Sequence, residues 1–152
     1  VFPEGAKGTG KLYSHRYRLL PFNVGFIELS LTYKAPIVPV AVIGGEEQAP
    51  MLYDIRPIAR ALRFPYFPVT PFFPLLGPLG AVPLPVKYHI YYGTPLHFHK
   101  EYPREAANDP ETVRMLADKV QMIIQGMTDD GLKKRDGVFG LIGRGVSFGD
   151  VE

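Results

Sequence analysis

Gly5-Ala6-Lys7-Gly8-Thr9-Gly10-Lys11 fills the first seven positions of the phosphate-cradling pattern G-x-x-x-x-G-K. In that pattern backbone N–H groups and the lysine surround phosphate oxygens, and a following Ser or Thr hydroxyl holds magnesium. Leu12 stands at the hydroxyl position, and Tyr13-Ser14-His15-Arg16 does not open an amphipathic helix. The same residues also read as a flexible Gly-rich turn. The four histidines offer little else. His97 and His99 could face one side of an extended segment, but two ligands do not make a metal site, and no metal is expected. His89 falls in a strand-like run, where a hydrogen-bonded, partly buried ring is the plain reading. Ser14 and His15 are neighbours without the geometry of a catalytic triad.

Composition narrows the classes further. The 152 residues are 46% hydrophobic and 21% charged, too apolar for a disordered chain and too charged for a polytopic membrane protein. The small net charge of +2 gives no licence to expect nucleic acid as a partner, since such binding usually shows a clustered basic face. With no cysteine, disulfides, thiolate metal sites and Cys nucleophiles are excluded together.

The elements that must position these residues follow from periodicity and punctuation. Val1 and Phe2 read as the end of a strand that the turn formers after them cannot extend. Over 21–34, Val24, Ile27 and Leu31 recur at helical steps, joined by Phe26 and Leu29, and predict a largely buried helix. Ile37-Val38-Pro39-Val40-Ala41-Val42-Ile43 is a β-branched apolar run closed by Gly44-Gly45. It predicts a strand buried on both faces, as in a parallel sheet, with its ladder broken at Pro39. Loop, helix and strand in this order imply a βαβ-type unit with a right-handed crossover and an α/β fold class. A short helix over 54–62 and a strand over 86–92 follow. Asp109-Pro110-Glu111 is an N-terminal cap for a long helix with the stripe Val113, Leu116, Ala117, Val120, Ile123, Ile124 and Met127, and Gly131 is its predicted stop.

Residues 64–86 contain seven of the sixteen prolines and no charged residue, and carry Phe64, Tyr66, Phe67, Phe72 and Phe73. The prolines are incompatible with a regular spanning helix, since each removes a backbone donor. Two readings remain: a loop folded over the core, or a surface that meets lipid or an acyl chain. The Gly-rich residues 136–152 form a tail with one apolar cluster.

Phe2-Pro3-Glu4-Gly5-Ala6-Lys7-Gly8 resembles the F-P-E-G-T-R-S block of the glycerolipid and lysophospholipid acyltransferase superfamily, the PlsC-like enzymes. Ala35-Pro36-Ile37-Val38-Pro39-Val40 resembles that family's P-I-V-P-V strand block, in the right order downstream. Residues 67–78 and 84–88 are similar to the branch related to diacylglycerol acyltransferases and phytyl ester synthases. The resemblance covers about residues 1–132.

That likeness implies the C-terminal portion of an acyltransferase domain over 1–135, a mixed or parallel sheet flanked by helices, and transfer of a fatty acyl group from a thioester to a lipid hydroxyl. Phe2, Pro3, Glu4, Gly5 and Lys7 would bind the acyl acceptor. Lys for Arg at position 7 keeps the charge but loses the planar fork that grips phosphate. Lys11, Arg16 and Arg18 could meet an anionic lipid or the phosphates of the donor, or form a solvated basic loop. Phe64, Phe67, Phe72 and Phe73 would contact acyl chain or membrane. Acyl-CoA or acyl-carrier protein would be the donor substrate, with no cofactor, at the cytoplasmic face of a membrane.

The family's catalytic base is the His of an H-x-x-x-x-D motif. Five residues after His15, His89, His97 and His99 stand Leu20, Thr94, Tyr102 and Arg104, so no histidine here has its Asp. The motif precedes F-P-E-G in the family, and this chain opens at Val1 without Met. The expectation is therefore a segment of a longer polypeptide, with the base upstream and no transfer by the segment alone. The alternative is a lipid-surface or partner-binding module of the same fold without catalysis.

Overall fold

The computed structural model describes residues 1–5, 8, 11–61, 63 and 68–135. Along the chain come α1 (Gly25–Tyr33), β1 (Val40–Ile43), α2 (Gly45–Gln48), β2 (Tyr53–Asp54), α3 (Arg56–Ala61), β3 (Pro68–Val69), β4 (His89–Tyr92), α4 (Phe98–Glu101) and α5 (Pro110–Lys134), with 3-10 turns at Tyr13–His15, Gly77–Ala81 and Arg104–Asn108. The architecture is mixed α/β.

The helix α5 is the spine. The Asp109 carboxylate accepts the N–H groups of Glu111 and Thr112, and Pro110 opens the first turn, where its missing donor costs nothing. The Thr112 hydroxyl, bonded to the Asp109 carboxylate, and those two N–H bonds hold its pKa below the ordinary value. Val113, Leu116, Ala117 and Val120 pack with Ile27 and Leu31 of α1, Phe22 and Phe98 into the main core. Full burial of each large side chain contributes about 1.5–3 kcal/mol. The predicted stop at Gly131 is corrected: α5 continues to Lys134, and Gly131 is buried within it. A Cβ there would lie 2.5 Å from Ile43 Cδ1 and 2.6 Å from the Tyr91 ring, so its missing side chain lets helix and sheet approach.

The strand β1 pairs antiparallel with β4, Val40 opposite Tyr92 and Val42 opposite Ile90. Ala41 and Ile43 are buried, while Val40 and Val42 are exposed together with Ile90 and Tyr92. The expectation of a parallel strand buried on both faces is thus corrected. One face of the ribbon lies against α5 and the other is open, because the β-branched run records strand propensity without reporting the partner. Among the described residues every strand pairing is antiparallel, so the βαβ crossover is corrected too. The break at Pro39 is present. Ile37 bridges Leu96, the Pro39 carbonyl accepts the Gly93 N–H at 2.8 Å, and regular pairing resumes only at Val40.

The helix predicted over 21–34 begins at Gly25, and Lys34 at φ 55 ends it. Val1 and Phe2 form no strand: Phe2 is exposed, and its carbonyl accepts the Gly5 N–H at 3.0 Å, so the turn starts there. Among the described residues no helix is long and apolar enough to cross a membrane. The tail 136–152 lies outside the described residues.

Candidate functional site

The segment that opens the chain is a turn shaped by its own carboxylate. Gly5 adopts φ +63, a left-handed conformation that favours glycine. The Gly8 N–H donates to the Gly5 carbonyl at 3.1 Å, and Glu4 folds back across Gly8. A Cβ at Gly8 would lie 2.8 Å from both Cβ and Oε2 of Glu4, so the two residues fit only as a pair. The Asn23 N–H donates to the Pro3 carbonyl at 2.8 Å and fixes the turn against the start of α1. Lys7 lies outside the described residues.

Glu4 is engaged rather than free. Its Oε1 accepts the Leu20 N–H and lies 3.5 Å from the Lys11 ammonium. Lys11 also sits 3.0 Å from Oε1 of Glu46 and donates to the Arg18 carbonyl at 3.0 Å. The lysine therefore joins the opening turn to α2, just beyond β1, and its ammonium is held by two carboxylates and a carbonyl.

The segment 17–22 follows, and α5 secures it with side chains where a sheet would use a neighbouring strand. Arg114 donates to the Phe22 carbonyl at 2.9 Å, and Gln121 accepts the Phe22 N–H at 3.3 Å. Gln125 accepts the Leu19 N–H and donates to the Tyr17 carbonyl, both at 2.9 Å. Residues 114, 121 and 125 share one face of a helix, beside the apolar stripe. Asp118, on that face, pairs with Arg114 and raises its pKa.

A buried polar network closes the far end. Glu47, only 2% exposed, accepts the Tyr17 hydroxyl and lies 2.7 Å from Arg135 Nη1. The Tyr17 oxygen in turn accepts the Gly44 N–H at 2.8 Å, and the Tyr17 N–H donates to Glu46 Oε2 at 2.6 Å. Tyr17 is held at φ 62, uncommon for a bulky residue, and these bonds keep it there. Burial, reinforced by the Glu47 carboxylate, pushes its phenol well above the ordinary range. Burial works against the Arg135 charge, but the Glu47 pair outweighs it and the guanidinium is raised. Gly44, at φ 112, passes so close to Lys87 that a Cβ would meet its carbonyl oxygen at 2.3 Å.

Of the other residues singled out by sequence, Arg16 donates to the Tyr13 carbonyl and stacks 4.5 Å over the Tyr13 ring. Arg16 and Arg18 line an open concavity of about 420 Å³ together with Ser14, Tyr17, Leu132 and Arg135. Phe72 is exposed and Phe73 half-buried, while Phe64 and Phe67 lie outside the described residues. The rings of His97 and His99 meet edge to face at 5.6 Å. Among the described residues no group of three or more His, Asp or Glu could hold a metal ion. Sequence reasoning missed Tyr17, Glu46, Glu47, Gln121, Gln125 and Arg135. The only local signal was the paired acids directly after Gly44-Gly45.

No family model matches this chain, and no solved structure matches it significantly. The uncharacterized protein Rv0502 of Mycobacterium tuberculosis is 49% identical over 126 residues, 82% of this chain and 35% of that protein. The uncharacterized protein Mb0514 of Mycobacterium bovis gives the same figures. In Mycobacterium leprae the uncharacterized protein ML2427 is 48% identical over the same length, 34% of its own chain. The chain thus spans about a third of the length of the curated relatives it matches.

Proposed function

We propose that this chain is the acceptor-side portion of a PlsC-like acyltransferase, which moves a fatty acyl group from acyl-CoA or acyl-carrier protein to a lipid hydroxyl at a membrane surface. The observation that carries the reading is the Lys11 bridge. It ties Glu4 of the F-P-E-G block to Glu46, which follows the strand of the P-I-V-P-V block. The opening turn is thereby tied to the helix just beyond that strand, which supports a site drawing on both.

In this reading a histidine elsewhere in the longer polypeptide takes the proton of the acceptor hydroxyl. The oxygen attacks the thioester carbonyl, the C–S bond breaks, and the proton passes to the departing thiolate. This chain's part is to position the acceptor. The Gly5 turn presents Pro3 and Glu4, and the Leu20 N–H and Lys11 fix the orientation of the Glu4 carboxylate. Correct placement of that kind is worth about one to two orders of magnitude in rate when disturbed.

The test is consumption of acyl thioester by the intact gene product with lysophospholipid, monoacylglycerol, diacylglycerol or a long-chain alcohol. Glu4→Gln keeps an oxygen for the Leu20 N–H and should lower kcat/KM by about tenfold or more without lowering Tm. No turnover with any of these acceptors, or an unaffected Glu4→Gln enzyme, overturns the reading.

The competing reading, a lipid-surface module without catalysis, draws on the exposed apolar residues Phe72, Leu75 and Leu79. It requires vesicle binding without thioester consumption.

A further inference from the structure

We propose that the loop 70–82 is a membrane-inserting element whose tip enters the acyl boundary of a bilayer. Leu75 is 84% exposed, Leu79 76% and Val82 62%, and Leu76 and Phe72 are also exposed. Five large apolar side chains thus lie exposed within eleven residues of one loop.

The backbone of the loop is suited to leaving water. An unbonded N–H costs several kcal/mol in hydrocarbon, so an inserting loop must lack donors or satisfy them itself. Pro71, Pro74 and Pro78 have no N–H. The Phe72 and Phe73 N–H groups donate to the Thr70 hydroxyl, Leu76 to the Phe72 carbonyl, Gly77 to the Pro74 carbonyl and Val82 to the Leu79 carbonyl. Gly80 is buried against Phe72, where a Cβ would meet the carbonyl oxygen at 2.2 Å. The segment therefore doubles back on itself and keeps its leucines outward. No charged residue occurs over 64–86, and the cations bounding that interval, Arg63 and Lys87, are exposed. An apolar tip flanked by cations matches a bilayer containing anionic lipid.

This surface names the membrane contact of the acyl-transfer reading and rests on that reading for its purpose. Binding is measured without turnover, so either can fail alone. The experiment is flotation of the purified chain with vesicles of phosphatidylcholine, with and without phosphatidylglycerol. It compares the parent with Leu75→Asp/Leu79→Asp and with Met122→Asp, an exposed apolar position on α5. The parent and Met122→Asp should float with both vesicle types, more tightly with phosphatidylglycerol. The loop variant should lose about tenfold in affinity per leucine at unchanged Tm.

The proposal is overturned if the loop variant floats like the parent. It is overturned if binding needs phosphatidylglycerol and vanishes in high salt, since charge alone then suffices. It is also overturned if the parent is an oligomer that the loop variant dissociates, because the loop would then be a contact between copies.

Discussion

Arg135 Nη1 lies 2.7 Å from Glu47 Oε1, joining the end of α5 to the helix that follows β1 across 88 residues of sequence. Glu47 is deeply buried, and its carboxylate is satisfied by this partner and by the Tyr17 hydroxyl. Arg135→Ala strands a carboxylate in the interior and should cost about 3–5 kcal/mol in urea denaturation. Arg135→Ala/Glu47→Gln should recover part of that loss, because the amide carries no charge to bury. A single variant as stable as the parent would show that the pair contributes nothing.

Tyr17 gives the fold a limit on its alkaline side. Its folded-state pKa is raised, by burial first and then by Glu47, so the neutral phenol is the form that folding favours. The contribution is fully present below the unfolded value of 10.0 and declines as pH rises beyond it toward the folded value. Unfolding free energy measured from pH 8 to 11 should fall above about pH 10. Tyr17→Phe should lose about 1–3 kcal/mol at pH 8 and show a shallower alkaline decline.

Gly131 opposes two general rules. In an exposed helix Gly→Ala gains about 1 kcal/mol of helix propensity. Here the added methyl meets Ile43 and Tyr91 at distances that side-chain atoms do not tolerate. Overpacking costs about 1–3 kcal/mol, so Gly131→Ala should leave Tm unchanged or lower it, and Gly131→Val should lower it further. Gly126, with nothing near its absent Cβ, is the internal control, and Gly126→Ala should raise Tm.

The parts of this structure legible in the sequence are those whose causes are local. The cap at Asp109, Pro110 and the stripe through Val120 all point to one helix, and α5 is there. The strand after Pro39 was legible from its β-branched residues. Its orientation and its open face were not, since both depend on His89–Tyr92, about a third of the chain away. The candidate site divides in the same way. Glu4 and Lys11 stand out in a turn-rich, charged opening, yet what holds them is a backbone amide at Leu20 and a carboxylate at Glu46. Arg135 borders a Gly-rich tail and reads as a surface charge until the fold brings Glu47 to it. Apolar composition over 64–86 could not say whether the leucines face inward, because prolines erase the periodicity that reports a face.

The ladder from α5 to residues 17–22 makes that helix a ruler. Arg114, Gln121 and Gln125 reach their carbonyls and amides because their spacing returns them to one side of the cylinder. Replacing one of them removes a rung. Inserting or deleting one residue within residues 114–125 turns everything beyond it by about 100°. The bonds of the moved part and its share of the apolar stripe would then be lost together. Substitution is the inexpensive form of change for this helix and length variation the ruinous one.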